Sequence, residues 1–167
     1  MHSVRHTKNK EINKMDHLVL SASVQLAIVF SGIYLWVGML TGVWKYYQIS
    51  RSAQARAHYY VDIAHRSSLL YAPATLILAV LAYFSVWSES LNYIFVSINL
   101  IFFSFSILSY ILHGFLKDTT NQFKQPHQLG RFHLPKILMR LAMLLLVLAE
   151  VLGTGALLLG VILRFYA

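Results

Sequence analysis

Cysteine is missing altogether from this chain of 167 residues. Its absence excludes disulfides, thiolate catalysis, iron–sulfur clusters and thiolate-ligated haem, and leaves histidine as the foremost metal ligand. Charge is also scarce. Charged residues make up 12% of the chain against 57% hydrophobic ones, and the mean hydropathy of +0.59 lies far from that of soluble domains. A Gly-rich phosphate loop, an HExxH pair and a serine nucleophile elbow are lacking too, which sets aside the chemistry of soluble enzymes. There is no internal repeat and no low-complexity segment.

What is there is the length of one domain with the composition of an all-α integral membrane protein, a four-transmembrane-helix bundle. The polar, basic stretch 1–17 forms a tail carrying His2, His6 and His17, and residues 18–167 form the single transmembrane domain. Runs long enough for a bilayer crossing occupy 18–46, 53–87, 91–114 and 136–164, and the second outruns the hydrocarbon thickness by several turns. In the first, Gly32, Gly38, Thr41 and Gly42 are positions where a neighbouring backbone or a flat ligand comes close. Trp36, Trp44, Tyr46 and Tyr47 gather near its end, as aromatics do at a membrane interface. The second run contains Pro73, which removes one backbone hydrogen bond where its polar and apolar halves meet. The connection 115–135 is longer than most helix-to-helix loops and rich in Phe and Leu, so it reads as a folded lid, with Pro135 opening the last helix. Asn99 and Glu150 lie near the middles of their spans, where an amide and a carboxyl want partners; a protonated Glu150 bonded to a neighbour such as Asn99 meets that need.

The net charge of +8 would suggest nucleic acid in a soluble domain, but here the basic residues lie between hydrophobic spans. Topology accounts for them, and no nucleic-acid partner is expected. Nine basic residues (Lys45, Arg51, Arg56, Arg66, Lys117, Lys124, Arg131, Lys136 and Arg140) fall on the side of loops one and three, and five (Arg5, Lys8, Lys10, Lys14 and Arg164) on the other. That excess puts loops one and three in the cytoplasm.

The chemistry concentrates in the stretch from Ala53 to Trp87. Read as one helix, it places His58, Asp62, His65, Leu69 and Ala72 on one face, at spacings of four, three, four and three. Asp62 is then one turn from either histidine and able to orient an imidazole for a metal, while Arg56 and Arg66 at the border suit haem propionates. The alternative is that Asp62 pairs with Arg56, Arg66 or Lys45 and the histidines reach water. The two histidines lie about 10.5 Å apart along such a helix, so both cannot close on one iron, and a sixth ligand would come from another element such as His113. The Asp62-Ile63-Ala64-His65 spacing is also that of di-iron bundles, but those sites need a second such motif, which the chain lacks.

Three segments together resemble the styrene oxide isomerase family of small bacterial membrane proteins: LWVGMLTG at 35–42, ARAH at 55–58 and NQF at 121–123, with a Gly-rich final span behind them. The resemblance covers most of the chain in layout. It implies a trimer in the bacterial inner membrane, haem b between neighbouring copies, His58 as the axial iron ligand, and a small hydrophobic epoxide turned into an aldehyde at ferric haem acting as a Lewis acid. Where that family has an asparagine beyond the axial histidine, this chain has Ala64 and His65, so His65 is placed toward the open iron face or the substrate. The family's polar trio on the third helix is absent, and Ser97, Ser106, Tyr110 and His113 are the nearest candidates, with Tyr110 and His65 taken as the catalytic pair. The competing reading is a non-catalytic haem or electron-transfer subunit of a membrane complex. A cofactor-free interaction or transport protein is the third.

Overall fold

The computed structural model describes residues 20–167, so the 1–17 tail with its three histidines lies outside the described residues. Four helices follow in order: α1 (Ala22–Ser50), α2 (Tyr59–Phe84), α3 (Glu89–Leu116) and α4 (Lys136–Tyr166). A short hairpin, β1 (His127–Leu129) and β2 (Phe132–Leu134), precedes α4. Each helix is long and apolar enough to cross a membrane. Loops one and three therefore share one end of the bundle, and the tight turn at Ser85–Ser88 occupies the other.

The core is made chiefly by three of the four helices. Val24, Ala27 and Tyr34 of α1, Ala72, Leu78 and Ala79 of α2, and Val96, Leu100, Phe103 and Ile107 of α3 form one buried cluster, to which α4 adds only Leu157. Polar groups tie the helices where the chain offers them. The Tyr34 hydroxyl donates to Leu100 O at 2.9 Å and takes the Ser104 hydroxyl at 2.8 Å. Such contacts between helices in apolar surroundings contribute about 0.6 kcal/mol each. Glu89, in the first turn of α3, accepts from Ser23 N at 2.7 Å and from Ser23 Oγ at 3.0 Å, so an acid sits at the α1 N-terminus, where free N–H groups favour it. At the same end Trp87 Nε1 donates to Ala156 O at 2.7 Å and holds the turn against α4.

Helix α2 starts at Tyr59, six residues after the expected 53. Ser52 to Ala55 make a turn, closed by Ala55 N to Ser52 O at 3.0 Å, and Ala55 adopts a left-handed backbone (φ 50°) that breaks any helical ladder. His58 then caps α2 with an extended backbone. It consequently stands outside the helix and does not share a helical face with Asp62 and His65. Helix α1 runs on to Ser50, past the expected Tyr46, because its polar end finds partners: Lys45 pairs with Asp62, and Arg51 lies over the Tyr47 ring at 4.1 Å.

Asn99 is fully buried and satisfied, donating to Phe95 O at 2.9 Å and accepting from Thr154 Oγ1 at 3.1 Å. The expected Glu150–Asn99 bond is therefore not made; Thr154, one turn further along α4, takes that place. The 115–135 connection is tied down throughout. Lys117, left-handed at φ 52°, ends α3 and reverses the chain, and Gly130 at φ 59° turns the hairpin. Pro135 is the N-cap of α4 rather than a residue of its first turn.

Candidate functional site

The polar residues meet where loop three folds back on α2 and α3. Lys117's reversal brings Asp118 under the end of α3, where its Oδ1 accepts from His113 Nδ1 at 2.8 Å and its Oδ2 from Gly130 N at 2.6 Å. Both side chains are buried, 4% and 6% exposed, so the pair is shielded from water. A carboxylate accepts only, so His113 Nδ1 carries a proton and donates it to Asp118. Burial raises the Asp118 carboxyl, but the Gly130 N–H and the His113 ring outweigh it and hold the group below its ordinary value. Tyr60 packs against the His113 ring at 5.0 Å and stacks on Tyr110 at 6.0 Å, while its hydroxyl accepts from Gln122 N at 2.6 Å. Gln122 in turn takes the Ser109 hydroxyl at 3.2 Å and, through its carbonyl, His127 Nδ1 at 3.0 Å.

Beside this cluster a cavity of about 470 Å³ opens between α3, α4 and the hairpin. Its walls are almost wholly apolar, with Phe105, Phe123 and Leu146 among them, and Tyr110, Ser109, His113 and Gln122 supply the polar groups. Mostly apolar walls with a few convergent polar groups are the form of a small-molecule site.

The residues expected from sequence divide among three places. Tyr110 lines the cavity. His58 sits outside it, half-buried beside a polar depression of about 480 Å³ shared with Lys117, Asp118 and Lys124. Its backbone N–H donates to Gln48 Oε1 at 2.8 Å, and its Nδ1 accepts the Tyr60 N–H at 3.4 Å. Burial lowers the imidazole's pKa from its ordinary value and Lys117 adds to that, against the pull of Asp118.

His65 lies on the other side of α2, packed on Gly42 of α1, with Nδ1 donating to Gly38 O at 2.8 Å. Asp62 orients neither histidine: its oxygens go to Lys45 at 2.6 Å and Arg66 at 3.0 Å. Arg56 and Arg66 are both exposed. The carboxylate-oriented imidazole expected at Asp62 is found instead at Asp118 and His113, five residues apart across a helix end, a spacing that follows no helical period. Among the described residues no three metal-ligating side chains converge.

Comparisons with protein families, with characterised proteins and with solved structures find no match to this chain.

Proposed function

We propose that the four helices cross a membrane, with loops one and three on the cytoplasmic side, and that the protein takes a small hydrophobic molecule into the cavity beneath loop three. By the resemblance of its motifs to styrene oxide isomerases, that molecule is an epoxide and the reaction an isomerisation to an aldehyde, assisted by haem b in a homotrimer of the inner membrane. One observation carries the reading. Tyr60, two residues past ARAH and bonded through its N–H to His58 of that motif at 3.4 Å, accepts at its hydroxyl the N–H of Gln122 in NQF at 2.6 Å, so the two segments, more than 60 residues apart, come close in space beside the cavity that Gln122 lines.

The ring nitrogens test how haem b fits. His58 accepts at Nδ1, so its proton is on Nε2, and ligation there requires release of a 3.4 Å bond. His65 already has the tautomer a metal takes, with Nδ1–H fixed on a carbonyl and Nε2 left to ligate. The donor set therefore fits in kind: His58 or His65 would hold the iron, and Arg56 and Arg66 would face the propionates. Neither His58 nor His65 lines the cavity, so the Lewis-acidic iron that haem b would supply to an epoxide oxygen would be one held by a neighbouring copy. The depression beside His58 is polar and small for a macrocycle, so the proposal puts haem b at a boundary between copies. The chain's own part is to exclude water with the apolar walls and to present Tyr110 and the His113 ring to the bound molecule.

The visible spectrum of the purified protein tests this. A haem band lost in His58→Ala or in His65→Ala identifies the ligand, and a colourless wild type removes haem b. A low-spin, six-coordinate spectrum instead favours the electron-transfer subunit.

A further inference from the structure

Lys117 and Lys124 have no part in the hydrophobic cavity, yet both line the polar depression beside His58. Thr120, Gln125 and Gln128 add a hydroxyl and two amides to the same walls. Ammonium, hydroxyl and amide groups around one hollow of about 480 Å³ are donors suited to an anion. Both lysines are exposed, and among the described residues neither pairs with a carboxylate: the ion pairs are Lys45–Asp62, Arg66–Asp62 and His113–Asp118. Asp118 is the one acid on the walls. Its two oxygens are already engaged by His113 and Gly130, and its side chain is only 6% exposed, so the lysines dominate the open part of the depression.

The neighbours of these lysines favour a lipid over a free anion. Phe115 stands two residues before Lys117 and Phe123 one residue before Lys124, and they are 76% and 52% exposed. Phe132 of the hairpin is exposed as well. Basic groups interleaved with exposed aromatic rings are the composition of a surface that meets the headgroup layer, where rings enter the acyl boundary and ammonium groups stay with the phosphates. In the proposed orientation this end of the bundle faces the leaflet whose anionic lipids attract lysine. We infer that the depression beside His58 is a binding site for the phosphate headgroup of an anionic lipid, held by Lys117 and Lys124. The inference rests on the proposal that the helices cross a membrane, and it needs neither haem b nor a ligand in the cavity.

The full chain in an uncharged detergent, titrated with phosphatidylglycerol or phosphatidylcholine and followed by native mass spectrometry, tests this whichever side of a membrane loop three occupies. The wild type should bind phosphatidylglycerol about twentyfold more tightly than phosphatidylcholine, about fivefold for each lysine, and the preference should shrink as salt is added. Lys124→Gln should lose about fivefold of it, and Lys117→Asn/Lys124→Gln nearly all. Asparagine accepts the left-handed backbone that Lys117 holds, so the end of α3 is kept. Arg164→Gln, at the other end of the bundle, should keep the full preference. Equal binding of the two lipids by the wild type overturns the site. A preference that survives in the double variant, or that falls as far in Arg164→Gln, also overturns it, because the anionic lipid is then held elsewhere. Glycerophosphate bound as tightly as phosphatidylglycerol overturns the lipid and leaves a site for free phosphate esters. Failure of the membrane crossing itself is read separately, from the sidedness of loops one and three.

Discussion

His113 and Asp118 illustrate how one backbone reversal makes a site. Each alone is an unremarked polar residue at a helix end; together, buried, they form an oriented imidazole and a loop clamp, since the other Asp118 oxygen holds Gly130 at 2.6 Å. Asp118→Asn loses the charge that strengthens both bonds and should lower stability by on the order of 1–3 kcal/mol, read as a fall in melting temperature in detergent. The pH dependence has a definite sign. The folded carboxyl lies below its ordinary value, so its stabilisation is complete above about pH 4 and is lost as pH falls through the depressed folded value. Hydrogen exchange at the Gly130 amide, corrected for the intrinsic rate, should lose protection in acid for the wild type, whereas in Asp118→Asn protection should be weaker and independent of pH. At this scale the sequence was only partly readable. Tyr110 falls on the cavity wall, but His58 leaves the helical face because Ala55 breaks the helix before it. Asp118 could not be matched to His113 without knowing that Lys117 turns left-handed.

At the scale of elements, the packing of α1 on α2 depends on two glycines one helical turn apart. A methyl group on Gly42 would stand 2.9 Å from His65 Cε1, and one on Gly38 within 2.6 Å of Leu69 Cδ2. The small residues admit the side chains of α2, and the carbonyl exposed at Gly38 receives His65. Gly42→Val should therefore force the helices apart or drive His65 from its place, at a cost of about 1–3 kcal/mol. His65→Ala opens room for the added side chain, so the double variant Gly42→Val/His65→Ala should lose less stability than the sum of the single ones. Melting temperatures of all four proteins check this coupling, and strict additivity would show that the two residues do not press on each other. The four helices themselves were legible to within a few residues at most ends, because hydropathy is a local property. The start of α2 was not, since the turn Ser52-Ala53-Gln54-Ala55 has no strong breaker in its composition.

At the scale of the molecule, α4 stands apart. It buries only Gly153, Leu157 and Gly160, while Leu144, Val151, Leu152 and Leu158 are among many apolar side chains it exposes. In water such a surface would be costly at about 25 cal/mol per Å²; against lipid tails or a second copy it is not. Topology decides the first half of that argument, and the complete lack of cysteine makes the measurement clean. Ser52→Cys and Gln125→Cys place thiols in loops one and three, and Ser90→Cys places one just past the turn between α2 and α3. In sealed inside-out vesicles a membrane-impermeant maleimide should label the first two and spare the third, and in right-side-out vesicles the pattern should reverse. Labelling of Ser52→Cys and Gln125→Cys from opposite faces would break the four-span arrangement, because α2 and α3 together return the chain to the side it left. Labelling of all three from one face would mean that α2 and α3 do not cross, and the cavity, walled on one side by α3, would then open to water rather than to lipid.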